Sequence, residues 1–139
     1  MLSLILDTNL FISAYLSGGM TETILDLIVQ NKLKLNVSQH LIDEVLDKLV
    51  NKFGFDESDL ERFNNLINTR STPYLTFHNV KICRDPKDDF LIDLIIASNP
   101  DYLVTRDKDL LEIEQNFGKT RIIKPEEFMA ILRVEKILP

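Results

Sequence analysis

Short apolar runs alternate along this chain with longer stretches whose apolar residues recur every three or four positions, and this alternation restricts the fold more than any other feature. Residues 2–6 form an apolar run too short for a helix and read as a buried strand. Residues 21–30 carry a helical stripe in Ile24, Leu25, Leu27, Ile28 and Val29, and residues 34–37 make a second short strand. Ser38 is placed to cap a helix striped by Leu41, Ile42, Val45, Leu46, Leu49 and Val50, which Gly54 ends. Asp56 opens another, with Leu60, Phe63, Leu66 and Ile67. Residues 71–73 read as a break, 74–82 as mixed strand and loop, and 84–87 as a turn. A helix is expected over 88–98, a strand over 102–105, a helix over 108–117 closed by Gly118, a strand over 121–123, and a last helix opening at Pro125. Strands separated by helices make parallel βαβ units, so the expected class is α/β: a three-layer sandwich around a central, mostly parallel sheet. The 139 residues, without repeats or linkers, fit one domain.

Cys83 is the single cysteine, so no intramolecular disulfide can form, which suits a reducing cytoplasm. The opening residues lack a basic leader and their apolar run stops at Asp7, so neither signal peptide nor membrane span is expected. The net charge of −6 opposes indiscriminate binding to nucleic acid. Two arrangements reconcile the two: a few basic residues focused at one site, or acids gathered into a metal site whose cations invert the local field.

In open parallel sheets the functional crevice lies at the carboxyl ends of the strands. Asp7 directly follows the first strand and Asp107 follows the strand at 102–105; Asp88 and Asp89 open the helix before it; Glu44 lies at the border of an apolar stripe after the second strand. Taken singly, each has a structural reading: Asp107 as a cap, Asp88 and Asp89 as acids favoured by a helix dipole, Glu44 as a solvated helix residue. Together, several acids recur at one end of the inferred sheet. Carboxylates gathered there repel one another and raise each other's pKa unless a cation neutralises them, and hard oxygen ligands suit Mg²⁺ or Mn²⁺. Cys83, His40 and His78 lack metal-ligand spacing and read as structural.

Four stretches resemble the motifs of PIN domains, in the same order. These are Leu6-Asp7-Thr8-Asn9; Ser38-Gln39-His40-Leu41-Ile42-Asp43-Glu44-Val45; Arg84-Asp85-Pro86-Lys87-Asp88-Asp89-Phe90-Leu91; and Tyr102-Leu103-Val104-Thr105-Arg106-Asp107. Ile122-Ile123-Lys124-Pro125-Glu126-Glu127-Phe128 is similar to the family's terminal strand and helix. The likeness is greatest to the branch that includes toxins of toxin–antitoxin modules.

The resemblance implies a parallel sheet of about five strands, three or four acids at its carboxyl edge, Mg²⁺ or Mn²⁺, and hydrolysis of RNA phosphodiester bonds. On that footing Asp7 and Asp107 are direct metal ligands. Glu44 and one of Asp88 and Asp89 bind a second metal or orient water, and Thr8, Asn9 and Thr105 donate hydrogen bonds that hold the carboxylates. Arg84, Lys87, Arg106 and Lys108 stand beside these motifs as candidate phosphate contacts. Between the two neighbouring acids Asp88 is preferred, because Ile92 and Ile96 continue its row towards the core while Asp89 leads to Asp93. A homodimer and an antitoxin partner are expected, with Phe11, Ile12, Tyr15 and Leu16 as a candidate contact surface, core packing being the commoner fate of such residues. The competing readings are a catalytically silent interaction module of the same fold, or a phosphate-handling α/β protein with Asp7 as nucleophile. The second wants a late-strand lysine, which Lys124 offers, or a second Asp at the position of Asn9.

Overall fold

The computed structural model describes residues 1–16, 18–78, 81–83 and 85–139. Among them β1 (Ser3–Leu6), β2 (Lys34–Val37), β3 (Ser71–Pro73), β4 (Tyr102–Val104) and β5 (Arg121–Ile123) form a sheet in the order β3-β2-β1-β4-β5, every neighbouring pair parallel. The helices flanking it are α1 (Thr8–Leu16), α2 (Met20–Val29), α3 (Gln39–Asn51), α4 (Glu57–Arg70), α5 (Asp89–Ser98), α6 (Lys108–Leu111) and α7 (Pro125–Val134). The α/β class and the five-stranded sheet are as expected. None of these helices is long and apolar enough to cross a membrane.

After Ser3 the central strand is apolar because a parallel strand between two helical layers meets no water; Leu4, Ile5 and Leu6 are essentially inaccessible. Local signals set the helix starts. The Ser38 hydroxyl accepts the Leu41 amide at 3.2 Å, and Asp56 and Asp59 exchange hydrogen bonds with each other's backbone amides in a capping box. From β1 the chain steps outward to β2 and β3, then returns to pair β4 on the opposite side of β1. The carboxyl ends of β1 and β4 therefore flank the switch point of the sheet, where a crevice opens.

Three local expectations are corrected. Residues 8–16 form a helix, α1, with Phe11 and Ile12 in the core rather than on a partner surface. Phe11 and Tyr15 both pack edge-on against Phe63, at 5.8 and 5.1 Å between ring centroids. A helix buried on most sides carries no amphipathic stripe, and so no periodic signal. Residues 71–73, read as a break, are the edge strand β3; Pro73 is tolerated there because an edge strand leaves one side unpaired. The helix expected over 108–117 ends at Leu111. The return from β4 to β5 spans only three-residue strands of about 10 Å, so one helical turn and an extended segment suffice. Gly118, at φ +60°, makes the final turn.

One core position is not satisfied. Asn36, in β2, is fully buried, and neither its amide nitrogen nor its oxygen has a hydrogen-bond partner among the described residues. An unpaired buried amide costs about 1–3 kcal/mol. Asn36→Leu, similar in size, is therefore expected to raise the urea denaturation midpoint at unchanged slope, by an equivalent of about 1–3 kcal/mol.

Candidate active site

The site is assembled around one hydroxyl. Thr105 follows β4 and is fully buried; its Oγ1 donates to Asp7 Oδ2 and accepts the backbone amide of Asp107 at 2.9 Å. The other Asp7 oxygen accepts the Leu10 amide at 2.9 Å, which caps the start of α1. Asp107 caps α6 by accepting the Asp109 amide at 2.9 Å, so a capping role and a place in the site coexist in one residue. Asp88 completes the group. It closes a 3-10 turn, Pro86–Asp88, that Asp85 caps, and its side chain does not cap α5 but meets the Asp107 carboxyl.

The electrostatics follow from this geometry. Burial, then the charge of Asp107, raises the Asp7 pKa against the lowering pull of Thr105, the Leu10 amide and Lys48. Asp88 is pushed up to about 7 by burial, by its hydrogen bond to Asp107 and by the charges of Asp107, Asp85 and Asp7. Without a cation, Asp88 therefore keeps its proton well above the usual carboxylate range.

These acids line a groove of about 1180 Å³, with Glu44 half-buried on α3. Asp43 and Asp47 are exposed but also face this groove, as does Asp85. Lys48, Lys87 and Arg106 are its cations. Arg106 is tied to Glu126 at 2.5 Å, and Lys108 pairs with Glu112 at 3.7 Å outside the groove lining. Arg84 lies outside the described residues. Asn9 Oδ1 accepts Lys48 Nζ at 2.9 Å, fixing a cation that the sequence alone did not single out within reach of Asp7. The i, i+4 spacing of Glu44 and Lys48 was its only sequence signal. Thr8 is buried against the groove.

The structure places Asp89 outside the cluster. Its Oδ1 accepts the Cys83 and Ile82 amides at 2.8 and 3.0 Å, which holds its pKa below the usual range. Asp88 faces the site for a reason other than the expected one. The row argument assumed that Ile96 is buried and Asp93 is not, whereas Ile96 is 61% exposed and Asp93 only 8%. Asp88 is directed instead by the turn that precedes α5.

A sequence model of the PIN domain matches residues 3–109, from β1 through Asp109. The chain belongs to the PIN-domain family. PIN domains are a nuclease-type family and typically use divalent metal ions. The match ends before β5 and α7. No curated protein matches the chain.

Whether this PIN domain suits such an ion is decided by its donors. Among the described residues these are carboxylate oxygens, and the raised pKa values of Asp7 and Asp88 mark charge in need of compensation. Among the described residues, no three acids, histidines or cysteines draw around a single point. A hard cation that keeps several waters and takes one or two carboxylates fits that spacing.

The raised acids make a stability prediction. Between its ordinary value of 3.8 and about 7, native Asp88 binds a proton that the unfolded chain releases, so stability falls as pH rises across this window. Asp7 acts in the same direction. The lowered acids Asp59, Asp89 and Glu126 stabilise fully above their ordinary values and lose that contribution only below them. Urea denaturation in EDTA from pH 4 to 7 is expected to show this decline in the wild type and a shallower one in Asp88→Asn.

Proposed function

We propose that this PIN domain is an Mg²⁺- or Mn²⁺-dependent endoribonuclease. The approach of Asp88 to Asp107, with Asp7 lining the same open groove at the switch point, carries this reading. The groove admits a polymer, and the acids are placed on rigid strand ends and a capped turn. A bound cation would polarise the scissile phosphate and bring a water towards ionisation near neutral pH. Asp7 and Asp107 are the direct ligands in this scheme, with Asp88 beside them and Glu44 across the groove. The Thr105 hydroxyl and the Leu10 amide fix Asp7 in one orientation, so the carboxylate meets its ion already aligned. Asp88, hydrogen-bonded to Asp107 at the edge of the groove, would orient the attacking water. Lys48 offers its ammonium to phosphate from the α3 wall.

The nucleophilic-aspartate alternative is less well supported. Both Asp7 oxygens are already engaged, and Lys124 does not line the groove. The toxin role, an antitoxin segment covering the groove, a homodimer and a cytoplasmic setting rest on the resemblance to the toxin branch.

Asp7→Asn and Asp107→Asn are each expected to reduce Mn²⁺-dependent cleavage of a single-stranded RNA by at least about 100-fold, on the scale of lost electrostatic stabilisation. Asp89→Asn should cut at nearly the wild-type rate while melting lower, since it loses a charged acceptor for two amides. Loss of cleavage in Asp89→Asn with retention in Asp88→Asn would overturn the assignment.

Mn²⁺ at 100 times its dissociation constant should stabilise the wild type by about 2.7 kcal/mol. Thermal melting of Asp7→Asn should respond far less. An unchanged wild-type melting curve at millimolar Mn²⁺ would remove the metal from the proposal.

A further inference from the structure

The groove has a second wall that the acids do not use. His40, in the first turn of α3, lies flat on Phe90 of α5, with ring centroids 4.3 Å apart and planes inclined by only 3°. Phe90 is buried and covers one face of the imidazole, yet the His40 side chain remains 38% exposed, so solvent reaches the ring from its other face and edges. His78 stands opposite, exposed, 5.9 Å away and tilted by 44°. It is held at φ +56°, a backbone conformation that non-glycine residues seldom adopt and that tends to persist at ligand sites. Both histidines and Phe90 line the acidic groove, and all three also line a smaller adjoining cavity of about 400 Å³.

A planar group supported from beneath is what a nucleobase requires. Single-stranded RNA is held largely by stacking of splayed bases on aromatic rings, histidine included. Stacking matters more here than in most nucleic-acid proteins. Among the described residues of the groove, carboxylates outnumber cations and Arg106 is already paired, so the side chains alone attract phosphate weakly. Uncharged contacts then add to whatever a bound cation and Lys48 supply.

We propose that His40, supported by Phe90 and flanked by His78, is a nucleobase-stacking subsite that seats one base of a single-stranded substrate beside the acid cluster. The inference rests on the reading of this domain as a ribonuclease. A competing role exists for the same side chain: His40 Nε2 lies 3.4 Å from Glu44 Oε1 and could merely orient that carboxylate. The two roles respond differently to substitution, because phenylalanine keeps the ring and loses the hydrogen bond.

The probe is a single-stranded oligoribonucleotide carrying 2-aminopurine, whose fluorescence is quenched by stacking. The chain contains no tryptophan to interfere. Binding is measured in the Asp88→Asn background with Mn²⁺ present, which keeps both direct ligands, and cleavage in the wild-type background. His40→Ala is expected to weaken binding roughly five- to a hundredfold, the range for loss of one base–aromatic stack. It should also abolish the quench and raise KM more than it lowers kcat. His40→Phe should restore both binding and quench, and His78→Ala should give a smaller loss than His40→Ala. Equal defects in His40→Ala and His40→Phe would overturn the subsite in favour of a role through Glu44. Wild-type binding and quench in His40→Ala would overturn it outright. If the parent protein neither binds nor cuts any RNA, the ribonuclease reading itself fails and the subsite with it, and that result is distinct from intact cleavage by the histidine variants.

Discussion

The Thr105 hydroxyl joins the carboxyl ends of two neighbouring strands into one site. It donates to Asp7 at the end of β1 and accepts the amide of Asp107 beyond β4. With no exposure to solvent, this hydroxyl has no water to compete for its hydrogen bonds. The parallel pairing of β1 with β4 brings the partners into register, with Leu6 opposite Val104 one residue before each begins to diverge. The cluster's geometry is therefore a consequence of sheet register, and a slip of one residue would separate Asp7 from Thr105 entirely.

Gathering carboxylates in this way costs stability in the absence of a cation, and the protein tolerates the cost where it is functionally useful. Asp7 is buried and its pKa raised, and Asp88 is raised beside Asp107. The neighbouring acids that do not enter the site are treated differently: Asp89 receives two backbone amides, Asp56 and Asp59 cap α4, and each is satisfied locally. Burial with like charge distinguishes the first group from the second, a contrast associated with functional sites.

The acidity of the chain has a location as well as a magnitude. Its groove holds Asp7, Asp43, Glu44, Asp47, Asp85, Asp88 and Asp107 against Lys48, Lys87 and Arg106. Such a surface discourages loose association with nucleic acid, and a bound cation would invert its local field. The imidazole and phenyl rings on the other wall give the same groove an uncharged means of holding a substrate.

The order of strands and helices was legible in the sequence because an apolar run ending in Asp7 and stripes at three- and four-residue spacing are local properties. So were the caps Ser38 and Asp56, whose side chains bond to amides only three residues away. The acids at the strand ends were legible too, since parallel topology puts the ends of β1 and β4 side by side whatever the details. What lay beyond the sequence depends on contacts between distant segments. α1 shows no stripe because α2 and α3 cover it on different sides. β3 is a strand only because β2 offers it a hydrogen-bonding edge. Asp88 and Asp89 are adjacent acids that local propensity cannot separate; the turn at Pro86–Asp88 sends one to Asp107, and the amides of Ile82 and Cys83 draw the other away. The pairing of Lys48 with Asn9 spans 39 positions, and that of His40 with Phe90 spans 50, so each exists only once the sheet has brought α3 beside its neighbours.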